Sequence, residues 1–169
     1  MIIRFGRKIK PDGSEAPAGF TLVEVMIVTA IVGVLAAVVL PDFSKIIGAY
    51  TLNYAAGEMA TNICLLQENA LRYESTGYRM LFDKIDNCYS YTEDHRTGVY
   101  KIVRMPPGIE LSYDNFSRPG SAGLAFAANG NPVYRFGGHI ALRCRTTGEF
   151  RYVIIDSIGR VRIDDVPPA

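Results

Sequence analysis

Within Phe20–Leu40, FTLVEVMIVTAIVGVLAAVVL, the one formal charge is Glu24. A carboxylate at membrane depth costs about 2.5 kcal/mol or more near a helix centre, so it ordinarily has a partner. Near the start of a helix it also gains from the macrodipole. His95 and His139 are the only histidines; each stands in a turn-rich or edge context and reads as a solvent-exposed polar residue. Cys64, Cys88 and Cys144 form no CxxC pair, so structural zinc is not indicated. An exported domain could oxidise two of them, or all three could pack as small apolar thiols. Cys88, Asp94 and His95 match no metal-ligand spacing, and Asp164 with Asp165 reads as a solvated tail. Asp156-Ser157 beside Gly159 lacks the elbow of a serine nucleophile. Arg160 and Arg162 carry more interest. Two apart on a strand, they share a face, and Arg143, Arg145 and Arg151 on nearby strands could extend a cluster able to hold phosphates. The competing reading pairs these arginines with carboxylates. No catalytic residue, metal or cofactor is indicated.

The element that must position Glu24 is the apolar run itself. At about 1.5 Å per residue, Phe20–Leu40 is just long enough to cross a hydrocarbon core of about 30 Å. The basic residues Arg4, Arg7, Lys8 and Lys10 precede it, which keeps the N-terminus cytoplasmic. A secretory signal peptide would end in a small-residue cleavage site, and Val38-Val39-Leu40-Pro41 is a poor one. A plain anchor accounts for the length but not for Glu24. A cut after Gly19 would create an ammonium at Phe20, four residues from Glu24. On a neighbouring subunit that ammonium would be a counter-charge for the carboxylate.

The remaining chain reads as one α+β domain. The helical pattern continues to about Tyr73, with Met59, Ile63, Leu66 and Ala70 on an apolar stripe that reads as core. Gly48 and Gly57 weaken it locally, and Ser75-Thr76-Gly77 ends it. From Tyr78 the texture is that of short strands: 78–82, 99–104, 109–113, 124–127, 132–136, 139–145, 151–156 and 160–164. Asn129-Gly130 is a hairpin turn signal. The expected fold is a long N-terminal helix, part transmembrane and part amphipathic, packed on an antiparallel sheet. The expected segments are a leader (1–19), a membrane helix (20–40), its amphipathic continuation (41–75) and a β-rich domain (76–169). The whole chain carries 18 basic and 17 acidic residues, and loss of the leader's four and two leaves 14 against 15. That near-neutrality gives no global field toward nucleic acid.

Gly19-Phe20-Thr21-Leu22-Val23-Glu24 followed by an apolar helix resembles the prepilin peptidase motif of type IV pilins and of the pseudopilins of type II secretion. The resemblance implies a pilin-like fold, cleavage after Gly19, methylation of the new Phe20 amine and residence in the inner membrane. It also implies assembly into a filament in which Glu24 pairs with a neighbour's Phe20 amine. Implied partners are other pilins or pseudopilins, the peptidase and an inner-membrane assembly platform. Pro41 falls where such subunits often carry a bending proline, whereas nineteen residues is a long leader. A second resemblance, to the GspH/FimT family of minor pilins and pseudopilins, rests on three segments in order: Met105-Pro106-Pro107-Gly108-Ile109-Glu110-Leu111, the stretch from Leu124 to Gly130, and Tyr152-Val153-Ile154-Ile155-Asp156 leading to Gly159-Arg160-Val161-Arg162. It implies a structural subunit, not an enzyme, that primes or caps a short filament for secretion or pilus biogenesis. Its alternative implication is DNA capture through Arg160 and Arg162.

Overall fold

The computed structural model describes residues 19–94, 98–116, 123–133 and 137–168. Helix α1 spans Leu22–Arg72, 51 residues, and continues as helix through Pro41. The chain divides into two compact units between Val39 and Leu40. In the first unit, described apolar side chains from Leu22 to Leu35 are exposed all round the helix, the pattern of a helix whose surroundings are themselves apolar.

In the second unit α1 is amphipathic. Leu52, Ala55, Ala56, Met59, Ile63, Leu66 and Ala70 are buried, three and four residues apart as one helix face requires. The helix stops in a Schellman turn. Ser75 N–H donates to Ala70 O (3.1 Å) and Glu74 N–H to Leu71 O (3.4 Å), and Glu74 takes the left-handed conformation, φ 48°.

Among the described residues eight strands follow: β1 Arg79–Asp83, β2 Cys88–Asp94, β3 Val99–Arg104, β4 Ile109–Asp114, β5 Leu124–Ala125, β6 Gly138–Cys144, β7 Phe150–Ile155 and β8 Val161–Asp164. They make two antiparallel four-stranded sheets, β3-β2-β1-β5 and β4-β6-β7-β8, where the sequence suggested one. The break falls at Pro106-Pro107-Gly108. Neither proline has an N–H for a ladder, and Gly108, at φ 84°, turns the chain so that its carbonyl accepts from Arg145 and opens the β4–β6 pairing. Both sheets and α1 share one core, in which Met80, Tyr89, Phe126, Ile140, Leu142, Val153 and Ile155 meet the helix stripe. Of the strand expected over 132–136, Pro132 makes a single bridge to Phe126 and Val133 lies in a turn; 134–136 lie outside the described residues. The turn at Asn129-Gly130 is present, with Gly130 N–H on Ala127 O at 2.8 Å. Strand β2 was not expected.

Side chains of the β1–β2 turn reach β4 of the other sheet, among them Lys84, paired with Asp114 at 3.4 Å. Asn87, in the β1–β2 turn, donates from Nδ2 to Ile109 O and accepts Leu111 N–H at Oδ1, both at 2.8 Å. This occupies backbone groups on the outer edge of β4.

Candidate functional site

Gly19 and Phe20 precede α1, and Phe20 is 88% exposed. Thr21 caps the helix. Its hydroxyl accepts Glu24 N–H (3.2 Å), while Glu24 Oε2 accepts both Thr21 N–H and Thr21 Oγ1–H (3.1 Å each). This is a reciprocal capping box. The sequence reading gave Thr21 no role, although Thr-x-x-Glu ahead of an apolar run is the spacing that signals one. Glu24 therefore stands on the first turn beside the Gly19–Phe20 bond with one oxygen already hydrogen-bonded inside its own chain. Among the described residues no helix is long and apolar enough to cross a membrane.

The second candidate cluster lies at the β7–β8 turn, held by Gly159 N–H on Asp156 O (2.8 Å) and Asp156 N–H on Arg160 O (2.9 Å). Gly159 has φ 82°, and a Cβ there would collide with Gly130 O and with Gln67 Nε2, which itself donates to Gly130 O at 2.7 Å. The glycine of Gly159-Arg160-Val161-Arg162 is thus required by the packing of the turn. Arg160 Nε pairs with Asp156 at 3.3 Å and Arg162 with Asp164 at 3.7 Å. Arg143 and Arg145 converge on Glu110, at 3.4 and 2.9 Å. Arg151 reaches Asn53 of α1 at 2.8 Å. The arginines are divided among acidic and amide partners instead of being gathered for phosphates.

The outer face of the second sheet holds a depression of about 580 Å³ whose lining includes Asn115, His139, Ile154, Asp156 and Arg162. His139 is not the exposed edge residue that its sequence context suggested. It lies half-buried in the interior strand β6 between the rings of Tyr113 (5.3 Å) and Tyr152 (5.9 Å), and burial holds its pKa below the ordinary value. His95 lies outside the described residues. The three cysteines are free thiols: Cys64 is exposed, Cys88 half-buried and Cys144 buried. Among the described residues no group of His, Cys, Asp or Glu is arranged to hold a metal. Asp164 caps the turn after β8, accepting Asp165 and Val166 N–H.

Residues 17–40 match the family described as the prokaryotic N-terminal methylation motif. No curated protein matches the chain by sequence. Solved structures do match by fold. The minor pseudopilin EpsH from the type 2 secretion system of Vibrio cholerae superposes with a TM-score of 0.54 at 13% identity, over 68% of this chain and 96% of that one. The type IV minor pilin FimU of Pseudomonas aeruginosa gives 0.53 at 16% identity, over 67% and 87%. The chain thus joins a prepilin-type N-terminal methylation motif to the fold of a minor pseudopilin and a minor pilin. Over about two thirds of the chain its fold is that of EpsH and of FimU.

Proposed function

We propose that the chain is a minor pilin or minor pseudopilin: a structural subunit, not an enzyme, that helps to start or cap a filament assembled at the inner membrane. The observation that carries this is the continuity of α1. One helix begins at the methylation motif and ends as the buried spine of a pilin-like domain. In this reading a peptidase cuts after Gly19 and the Phe20 amine is methylated. Phe20–Leu40 spans the membrane until the subunit is drawn into a filament with other pilins or pseudopilins, and the domain lies on the far side. The DNA-capture alternative draws no support from arginines that already sit on Asp156, Asp164 and Glu110.

The test is intact-mass analysis of the protein from membrane and sheared-filament fractions, with and without an active prepilin peptidase. The expected chain begins at a methylated Phe20 and occurs in the filament fraction. An uncut chain in peptidase-positive cells, a chain starting after Leu40, or absence from filaments overturns the proposal.

A further inference from the structure

The depression on the outer face of the second sheet is built from residues that the filament reading leaves without a role. Its floor follows from the ladder. His139 of β6 sits opposite Ile154 of β7, and Ile154 opposite Arg162 of β8, so the three side chains cross one face of the sheet in a row. Ile154, in the middle, is buried and makes an apolar floor. Asp156, two residues on, shares that face. Asn115 is held against β6, where His139 N–H donates to its Oδ1 at 2.8 Å. Gly138 permits this, because a Cβ there would collide with Asn115 Oδ1 and with the ring of Phe116. Ser157 and the exposed Ile158 line the depression from the β7–β8 turn. The volume of about 580 Å³ falls within the range of about 300–1,000 Å³ typical of small-molecule sites.

Charge and hydrogen-bonding capacity narrow the occupant. Among the described lining residues the charged ones are Asp156 and Arg162, which cancel, and each has its own partner, Arg160 and Asp164. Burial disfavours the charged form of His139. An ion therefore meets no net counter-charge. Neutral polar groups, by contrast, are left over. Among the described residues Asn115 Nδ2, the His139 ring nitrogens and the Ser157 hydroxyl make no hydrogen bond, and Arg162 meets Asp164 through one Nη at 3.7 Å. Together these groups both donate and accept. The rings of Tyr113 and Tyr152 flank His139 at 5.3 and 5.9 Å and extend an aromatic surface beside the floor. The matching ligand is uncharged, apolar on one face and edged with donors and acceptors. A pyranose has this form: its axial C–H groups suit the negative face of an aromatic ring, and its hydroxyls surround the edge. We propose that this depression binds a neutral sugar, with its C–H face on Ile154 and His139 and its hydroxyls on Asn115, Asp156, Ser157 and Arg162. The proposal goes beyond the filament role and does not depend on it.

The experiment uses the full-length protein in phosphatidylcholine nanodiscs, which avoid sugar-headed detergents. Saturation-transfer difference NMR is recorded with lactose, cellobiose and N,N′-diacetylchitobiose, each at about 5 mM, where a weak site of millimolar Kd fills. At least one disaccharide should receive saturation at its ring C–H protons. Arg162→Met and Ser157→Ala, both at exposed positions, should each weaken that binding about fivefold, the usual worth of one hydrogen bond. The double variant should lose it, with the melting temperature of wild type. If the double variant melts early, the single variants decide. If lactose binds, discs carrying lactosylceramide separate two sources of the same sugar. Quenched transfer to free lactose marks a glycolipid headgroup and undiminished transfer a soluble saccharide, and either result supports the site. Absence of transfer to all of the disaccharides overturns the proposal. So does undiminished transfer in the folded double variant, which places the sugar elsewhere. Displacement of the sugar by inorganic phosphate at about the same concentration marks an ion site and overturns it too.

Discussion

Glycines separate structural roles that the sequence presented as equal. Gly48 and Gly57 both read as weak points of a helix. A Cβ at Gly57 would meet nothing within 4 Å, whereas one at Gly48 would lie 3.0 Å from Cys144 Sγ and 3.5 Å from Thr147. Gly57→Ala should therefore raise stability by about 0.5–1 kcal/mol through helix propensity alone. Gly48→Ala should gain less or lose, because the buried thiol must give way. Denaturant midpoints of the two variants in detergent check this, and equal gains would show that Gly48 makes no close approach. His139 gives a pH signature. Its pKa lies below the ordinary value because burial between Tyr113 and Tyr152 disfavours the charged form. The unfolded chain therefore takes up the proton first as the pH falls. The stability from this residue is complete above the unfolded value of about 6.5 and declines as the pH drops toward the folded value. His139→Gln should flatten that part of the stability-pH profile, and an unchanged slope would assign it to other groups.

At the scale of elements, the long helix and most strands were readable because their apolar periods are regular. Met59, Ile63, Leu66 and Ala70 lie on the core face as their spacing implies. Strand β2 was hidden because, among its described side chains in Cys-Tyr-Ser-Tyr-Thr, Tyr89 and Tyr91 are the ones in the core. Ser90 sits opposite Leu81 and Ile102 on the other face, and the buried Thr92 is satisfied by hydrogen bonds to Gly77 and Arg79. The division into two sheets was equally hidden. The break falls at Pro106-Pro107-Gly108, and the link back across it runs through Asn87, a turn residue whose bonds to Ile109 and Leu111 join positions more than twenty apart in sequence, which no local pattern records. The Thr21–Glu24 box, by contrast, is written in spacing alone, a Thr-x-x-Glu ahead of an apolar run. Asn87 has φ 51°, so Asn87→Gly keeps the backbone conformation and removes only the two side-chain bonds. It should cost about 1–3 kcal/mol, because the β4 groups lose partners in a half-buried setting. Chemical denaturation measures this, and a cost near zero would mean that water replaces the amide without penalty.

At the scale of the molecule, every buried hydrophobic residue among the described ones belongs to the second unit, beginning at Leu52. A chain beginning at Thr51 keeps the whole α1 stripe and both sheets, well over a hundred residues, which is enough for an independent core. It loses Gly48, against which Cys144 packs. Two fragments, starting at Leu40 and at Thr51, should therefore both melt cooperatively with mixed helix and sheet, yet differ at one thiol. In the longer fragment Cys64, exposed on α1, should react at once with an alkylating reagent. Cys144, buried beneath the helix, should react only on opening, and is slowed about several-thousandfold if the domain has an ordinary stability of about 5 kcal/mol. In the shorter fragment Cys144 should react faster while the melting cooperativity persists, because a lid has been removed from a folded core. Mass spectrometry of alkylated peptides over time distinguishes the outcomes. A Thr51 fragment that never folds would show that the first turns after Pro41 belong to the core. Identical protection of Cys144 in both fragments would show that the sheet and its Thr146–Thr147 turn shield the thiol without the helix.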